Sequence, residues 1–132
     1  MIFLRKLKWA LLWAVLIFIL CAIPGHDIPH VSFLELLEFD KFVHAGIFFV
    51  LLMLLTRGFV VQEVYAKLKR NGKLIAFLIC VFYGGALELM QGAFFTERTA
   101  DIYDFIANSF GAIAGWLTYA FFERKILSKF IR

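Results

Sequence analysis

Four long stretches dominated by Leu, Ile, Val, Phe and Ala follow one another along the chain, at about residues 7–23, 41–57, 74–94 and 101–122. Each approaches the ~20 apolar residues a helix needs to cross the hydrocarbon core of a bilayer. The pattern predicts an all-α membrane protein, a four-transmembrane-helix bundle making a single domain over residues 1–132. Pro24 and Gly25 stop the first span, Arg57 and Gly58 end the second, and Asn71 and Gly72 mark a turn before the third. Arg5, Lys6 and Lys8 ahead of the first span also outline a signal peptide. Ile19, Leu20, Cys21 and Ala22 do not supply the small side chains a peptidase needs, so an uncleaved signal-anchor helix is expected.

Two connecting segments have amphipathic character. Ser32 with Glu35 makes a capping-box pattern among Val31, Phe33, Leu34, Leu36, Leu37 and Phe39, which fits a short interfacial helix between spans one and two. Beyond Gly58, Val60, Val61, Val64 and Leu68 are mixed with Lys67, Lys69 and Arg70, and predict an amphipathic extension of the second span.

The polar positions inside the apolar stretches carry the functional question. Gly84, Glu88 and Gln91 are spaced by four and three, and Asp101, Asp104, Asn108, Gly111 and Gly115 by three, four, three and four, so each set shares one helical face. Asp40, Lys41 and His44 open the second span, and Arg98 lies in the loop before the fourth. An ionisable group within a membrane costs roughly 2.5–3.5 kcal/mol on insertion scales, so such groups turn to the bundle interior and take partners.

Composition and charge then narrow the class. At 63% hydrophobic residues, the chain exceeds the roughly 45–50% of ordinary soluble domains. The net charge of +4 reports orientation and not nucleic-acid binding, because with four spans twelve of the fourteen basic residues share one side and only Lys41 and Arg98 lie opposite. The positive-inside rule puts both termini in the cytoplasm and every polar candidate at the extracytoplasmic face. Cys21 and Cys80 sit within spans without metal-type spacing and read as small apolar residues.

His44, Glu88 and Asp101 are the candidate catalytic residues, and Asp40, Lys41, Gln91, Arg98, Asp104 and Asn108 the candidate ligand-binding ones. A histidine with carboxylates can hold a divalent cation or act as general acid and base; whether a metal or cofactor binds stays open. Beside Lys41 and Arg98, amides and carboxylates can bind sugar hydroxyls or clasp a phosphate while a lipid tail stays in the bilayer. Plainer roles compete: Asp40 and Asp101 as helix caps, Glu88 as a partner of Arg98, His44 or Asn108, and the glycines as packing surfaces. His26 and His30, in a proline-containing turn, read as solvated. The open functions are a binding module for an amphiphilic envelope molecule, a membrane-embedded hydrolase or transferase acting on one, and a structural subunit of a larger membrane complex. Membrane lipids are expected partners, with a second copy or another membrane protein also open.

Taken in order, Asp40, Lys41 and His44 as DKxxH, Glu88 and Gln91 as ExxQ, and Arg98 to Gly115 as RxxDxxDxxxNxxGxxxG resemble the VanZ-like family of small bacterial membrane proteins. The similarity covers about Asp40 to Trp116. The family's namesake is associated with low-level resistance to the glycopeptide teicoplanin. The resemblance implies a cell-envelope role in a bacterial plasma membrane and names no reaction.

Overall fold

The computed structural model describes residues 1–22, 33–94 and 100–131, with the backbone alone for 33–40. Four long helices make up the bundle: α1 (Ile2–Ala22), α2 (Phe33–Val61), α4 (Gly72–Ala93) and α5 (Ile102–Phe122), with a short α3 (Ala66–Arg70) between α2 and α4. A π-helical turn, Glu123–Leu127, and one further helical turn, Ser128–Phe130, extend α5. The stretches Lys41–Val61, Gly72–Ala93 and Ile102–Phe130 are long and apolar enough to cross a membrane. In α1 the first two turns carry Arg5, Lys6 and Lys8, and the uncharged part from Trp9 to Ala22 reaches about 21 Å at ~1.5 Å per residue.

Polarity is distributed as in a membrane protein. Phe82, Leu89, Ile102, Phe110 and Leu117 are exposed, while His44, Gln62, Glu88, Gln91, Asp104 and Asn108 are buried. Lipid accepts the first group, and the bundle interior supplies the second with partners. α2 is central and packs on α1, α4 and α5. Its apolar core side chains are Phe48, Leu51, Leu52, Leu55 and Phe59.

Small residues set the closest approach. A Cβ on Gly111 would run into the backbone carbonyl of Ala45, so α5 lies on α2 backbone to backbone at the residue next to His44. A Cβ on Gly115 would come within 2.6 Å of Leu52 Cδ2. In lipid, where burying apolar surface gives helices no drive to associate, such contact supplies the packing attraction. On the other side of α2, a Cβ on Gly58 would come within 2.5 Å of Leu7 Cδ2. Trp13 Nε1 donates to the Ile47 carbonyl (2.9 Å), Tyr83 Oη to that of Ala14 (2.5 Å), and Gln91 Nε2 to that of Cys21 (3.2 Å). These bonds tie α1 to α2 and α4.

Two boundaries differ from the sequence expectation. Among the described residues the segment before span two is not a separate helix: from Phe33 the chain is one helix of 29 residues, because Asp40 and Lys41 are followed by helix-compatible residues and nothing there stops propagation. The amphipathic extension beyond Gly58, by contrast, is broken. α2 stops at Val61, where buried Gln62 accepts from the N–H groups of Val64 (2.9 Å) and Tyr65 (2.8 Å) and donates to the Tyr65 carbonyl (2.8 Å). One amide side chain thus satisfies the turn's backbone, and α3 begins afresh. The connection holding His26 and His30 lies outside the described residues.

Candidate functional site

Three helices bring polar side chains to one end of the bundle: Lys41 and His44 from the N-terminal part of α2, Glu88 and Gln91 from the C-terminal part of α4, and Asp101, Asp104 and Asn108 from the start of α5. Arg98 and the side chain of Asp40 lie outside the described residues.

Asp101 is the N-cap of α5, in extended conformation (φ −131°, ψ 113°), and its Oδ1 accepts from the Tyr103 N–H at 2.8 Å. Its Oδ2 accepts from Lys41 Nζ at 2.9 Å, and the same ammonium donates to Asp104 Oδ1. Lys41 therefore fastens α2 to the first turn of α5, where the carboxylates also meet the positive end of the helix dipole.

One turn deeper, His44 Nδ1 hydrogen-bonds Asn108 Oδ1 at 2.9 Å. With the amide oxygen of Asn108 as acceptor Nδ1 is the donor, and the other ring nitrogen, Nε2, stands 3.6 Å from Asp104 Oδ2. Asn108 itself fits because Gly84 faces it: a Cβ there would stand 3.3 Å from Asn108 Nδ2.

Glu88, only 6% exposed, enters from α4. Its Oε2 accepts from the backbone N–H of Asp101 at 3.0 Å. A carboxylate near the C-terminus of one helix, where the dipole disfavours it, is thus met by an amide at the N-terminus of the next. One ligand-type atom from each of His44, Glu88 and Asp104 falls within 4.8 Å of the others, all three residues being buried. Imidazole and carboxylates in this number are the donor set of a divalent-cation site or of a paired general acid and base. Among the described side chains the cluster holds three carboxylates and one lysine.

Beside the cluster, α4 and α5 leave a lateral groove of about 830 Å³. Phe82, Leu89, Ile102 and Phe105 make its apolar walls, and Glu88 and Asp101 line its polar end. Phe82 and Leu89 are 76% and 73% exposed, so the groove opens sideways on the face the bundle turns to lipid.

The structure thus brings together His44, Glu88, Asp101, Asp104, Asn108 and Lys41. Gln91, buried on the same face of α4, is directed to α1 through Cys21. What sequence reasoning missed lies at the opposite end: Arg57 donates through Nε to the Ile131 carbonyl (2.8 Å) and through Nη1 to Glu123 Oε1 (2.9 Å). Arg57 in a span and Glu123 just beyond one were the available signal.

Neither curated proteins nor solved structures give a match to the chain. A family model described as VanZ/LLP1 matches residues 3–123, nearly the whole length and every element that builds the cluster. The chain is a membrane protein that belongs to the VanZ/LLP1 family.

Proposed function

We propose that this chain binds an amphiphilic cell-envelope molecule from the outer leaflet of a bacterial plasma membrane, with both of its termini in the cytoplasm. The observation that carries the reading is the lateral groove, whose apolar walls end at Glu88 and Asp101. A tail lying along Phe82, Leu89 and Phe105 keeps its lipid surroundings, and its head comes to rest on two carboxylates. Such an end suits donor-rich heads, sugar hydroxyls or an amine, better than a bare phosphate, because Lys41 is already engaged by Asp101 and Asp104. The envelope setting, and any bearing on glycopeptide resistance, rests on the family alone. Processing of the bound molecule with His44 or Glu88 as acid or base is the enzymatic extension of the same reading.

A structural role is the second reading, favoured by the way Lys41, Asp101 and Asp104 tie α2 to α5. Native mass spectrometry of the purified protein separates the two. An amphiphile should travel with the wild type and be lost from Ala86→Trp, which fills the exposed wall of the groove without entering the core. No adduct, or one indifferent to Ala86→Trp, sinks the binding reading. Orientation is tested by a cysteine at Glu97, which should react with an impermeant thiol reagent on intact protoplasts while buried Cys21 and Cys80 stay silent. Labelling only after lysis overturns the proposed topology.

A further inference from the structure

We propose that His44, Glu88 and Asp104 hold one divalent first-row transition cation of the Zn²⁺ class. The proposal goes beyond amphiphile binding and does not depend on the groove being filled. It starts from how each side chain is held. His44 is fixed through Nδ1 by Asn108, Asp104 through Oδ1 by Lys41, and Glu88 through Oε2 by the N–H of Asp101. Metal-binding histidines donate their second ring N–H to an oxygen in this way, and ligating carboxylates are themselves hydrogen-bonded. All three residues therefore have an outer partner that sets the direction of the inner atom.

The inner geometry agrees. His44 Nε2 and Asp104 Oδ2 face one another across 3.6 Å, too far for a hydrogen bond. Two ligands on a zinc ion at ~2.1 Å in tetrahedral arrangement are about 3.4 Å apart. Glu88 also brings one ligand-type atom within 4.8 Å of one from each of the other two residues. The three ligands come from α2, α4 and α5, so the cation would join the helices around the cluster while keeping a coordination position for water or for a head group. A dication beside Glu88 and Asp104 would favour their ionised forms, adding to what Lys41 already does for Asp104. An imidazole nitrogen beside two carboxylate oxygens favours Zn²⁺-type ions over Mg²⁺ and Ca²⁺, which take oxygen ligands.

The test uses untagged full-length chain in detergent, carrying His26→Gln and His30→Gln so that His44 is the one histidine of the three that remains. After stripping with EDTA, calorimetric titration with Zn²⁺ should give one ion per chain. Glu88→Gln should bind it at least tenfold more weakly, Asn108→Ala about 10–100-fold more weakly, as outer-partner losses do, and Arg57→Gln as the wild type does. A readout independent of how the variants fold is the electron spin echo of Cu²⁺ bound to the chain with intact site. It should show the remote nitrogen of one coordinated imidazole and lose it on addition of Zn²⁺. No stoichiometric uptake, uptake without imidazole coupling, unaltered affinity in a folded Glu88→Gln, or competition by Mg²⁺ at equal concentration would each overturn the proposal.

Discussion

Each end of the bundle gathers ionic groups, and the two clusters are built on different terms. At the end where α2 and α4 are joined by α3, Arg57 meets one carboxylate, Glu123, and one backbone carbonyl, that of Ile131. Cation and anion balance, and the bonds tie the C-terminal turns to α2. At the other end, three described carboxylates and a histidine gather around Lys41, next to a groove that opens to lipid. Here a buried histidine and two buried carboxylates each bring one ligand-type atom within 4.8 Å of the others, a grouping suited to a guest and not only to a clamp.

The seam that both ends share is the place to break them together. Gly111→Leu drives a side chain into the Ala45 backbone, which cannot rotate away, and should cost more than about 3 kcal/mol, at or beyond the upper end of overpacking penalties. Loss of a cooperative melt in detergent is the expected result. A folded Gly111→Leu protein would mean that α2 and α5 do not touch at Ala45.

Next in size is Lys41→Met, which leaves Asp101 and Asp104 near each other without their shared ammonium. With Lys41 partly exposed, the loss should be about 2 kcal/mol, less than the 3–5 typical of a fully buried pair. It should appear as a lower detergent melting temperature that added Zn²⁺ partly restores, since a dication can take over the neutralising role. A melting temperature unaffected by Lys41→Met would show that α2 and α5 are not joined through this pair.

Much of this was legible in the chain itself. The three-and-four spacing from Asp101 to Gly115 already put Asp104, Asn108 and Gly111 on one face, and the structure buries that face against α2. The fourth span was legible to the residue at its start, because Asp101 is a good cap and sits where apolar periodicity begins. Partner choice was not legible. Glu88 accepts a hydrogen bond from a backbone N–H, that of Asp101, and backbone donors leave no mark in a pattern of side chains. Gln62 was passed over for the same reason: its bonds are to the main chain of its own turn. The unbroken α2 escaped because a capping-box pattern shows where a helix can start, not whether the next one is separate.

The sharpest test makes one chemical change at both ends. Glu123→Gln leaves Arg57 bonded to the Ile131 carbonyl but without its counter-charge, and should lower stability by about 1 kcal/mol without altering bound lipid or metal. Glu88→Gln should change the melting temperature least of all. The amide oxygen can still accept from the Asp101 N–H, the shape is kept, and one ionisable group that the bilayer penalises is removed. If the carboxylate is there for a guest, that near-silent substitution should nonetheless abolish the amphiphile adduct and the envelope phenotype and weaken metal binding at least tenfold. The contrast is what decides: a stability loss without a binding loss at Glu123, and a binding loss without a stability loss at Glu88. Should Glu88→Gln melt lower as Glu123→Gln does and keep both adduct and metal, the two ends are alike, and the polar cluster of this VanZ/LLP1 chain is a clamp between helices.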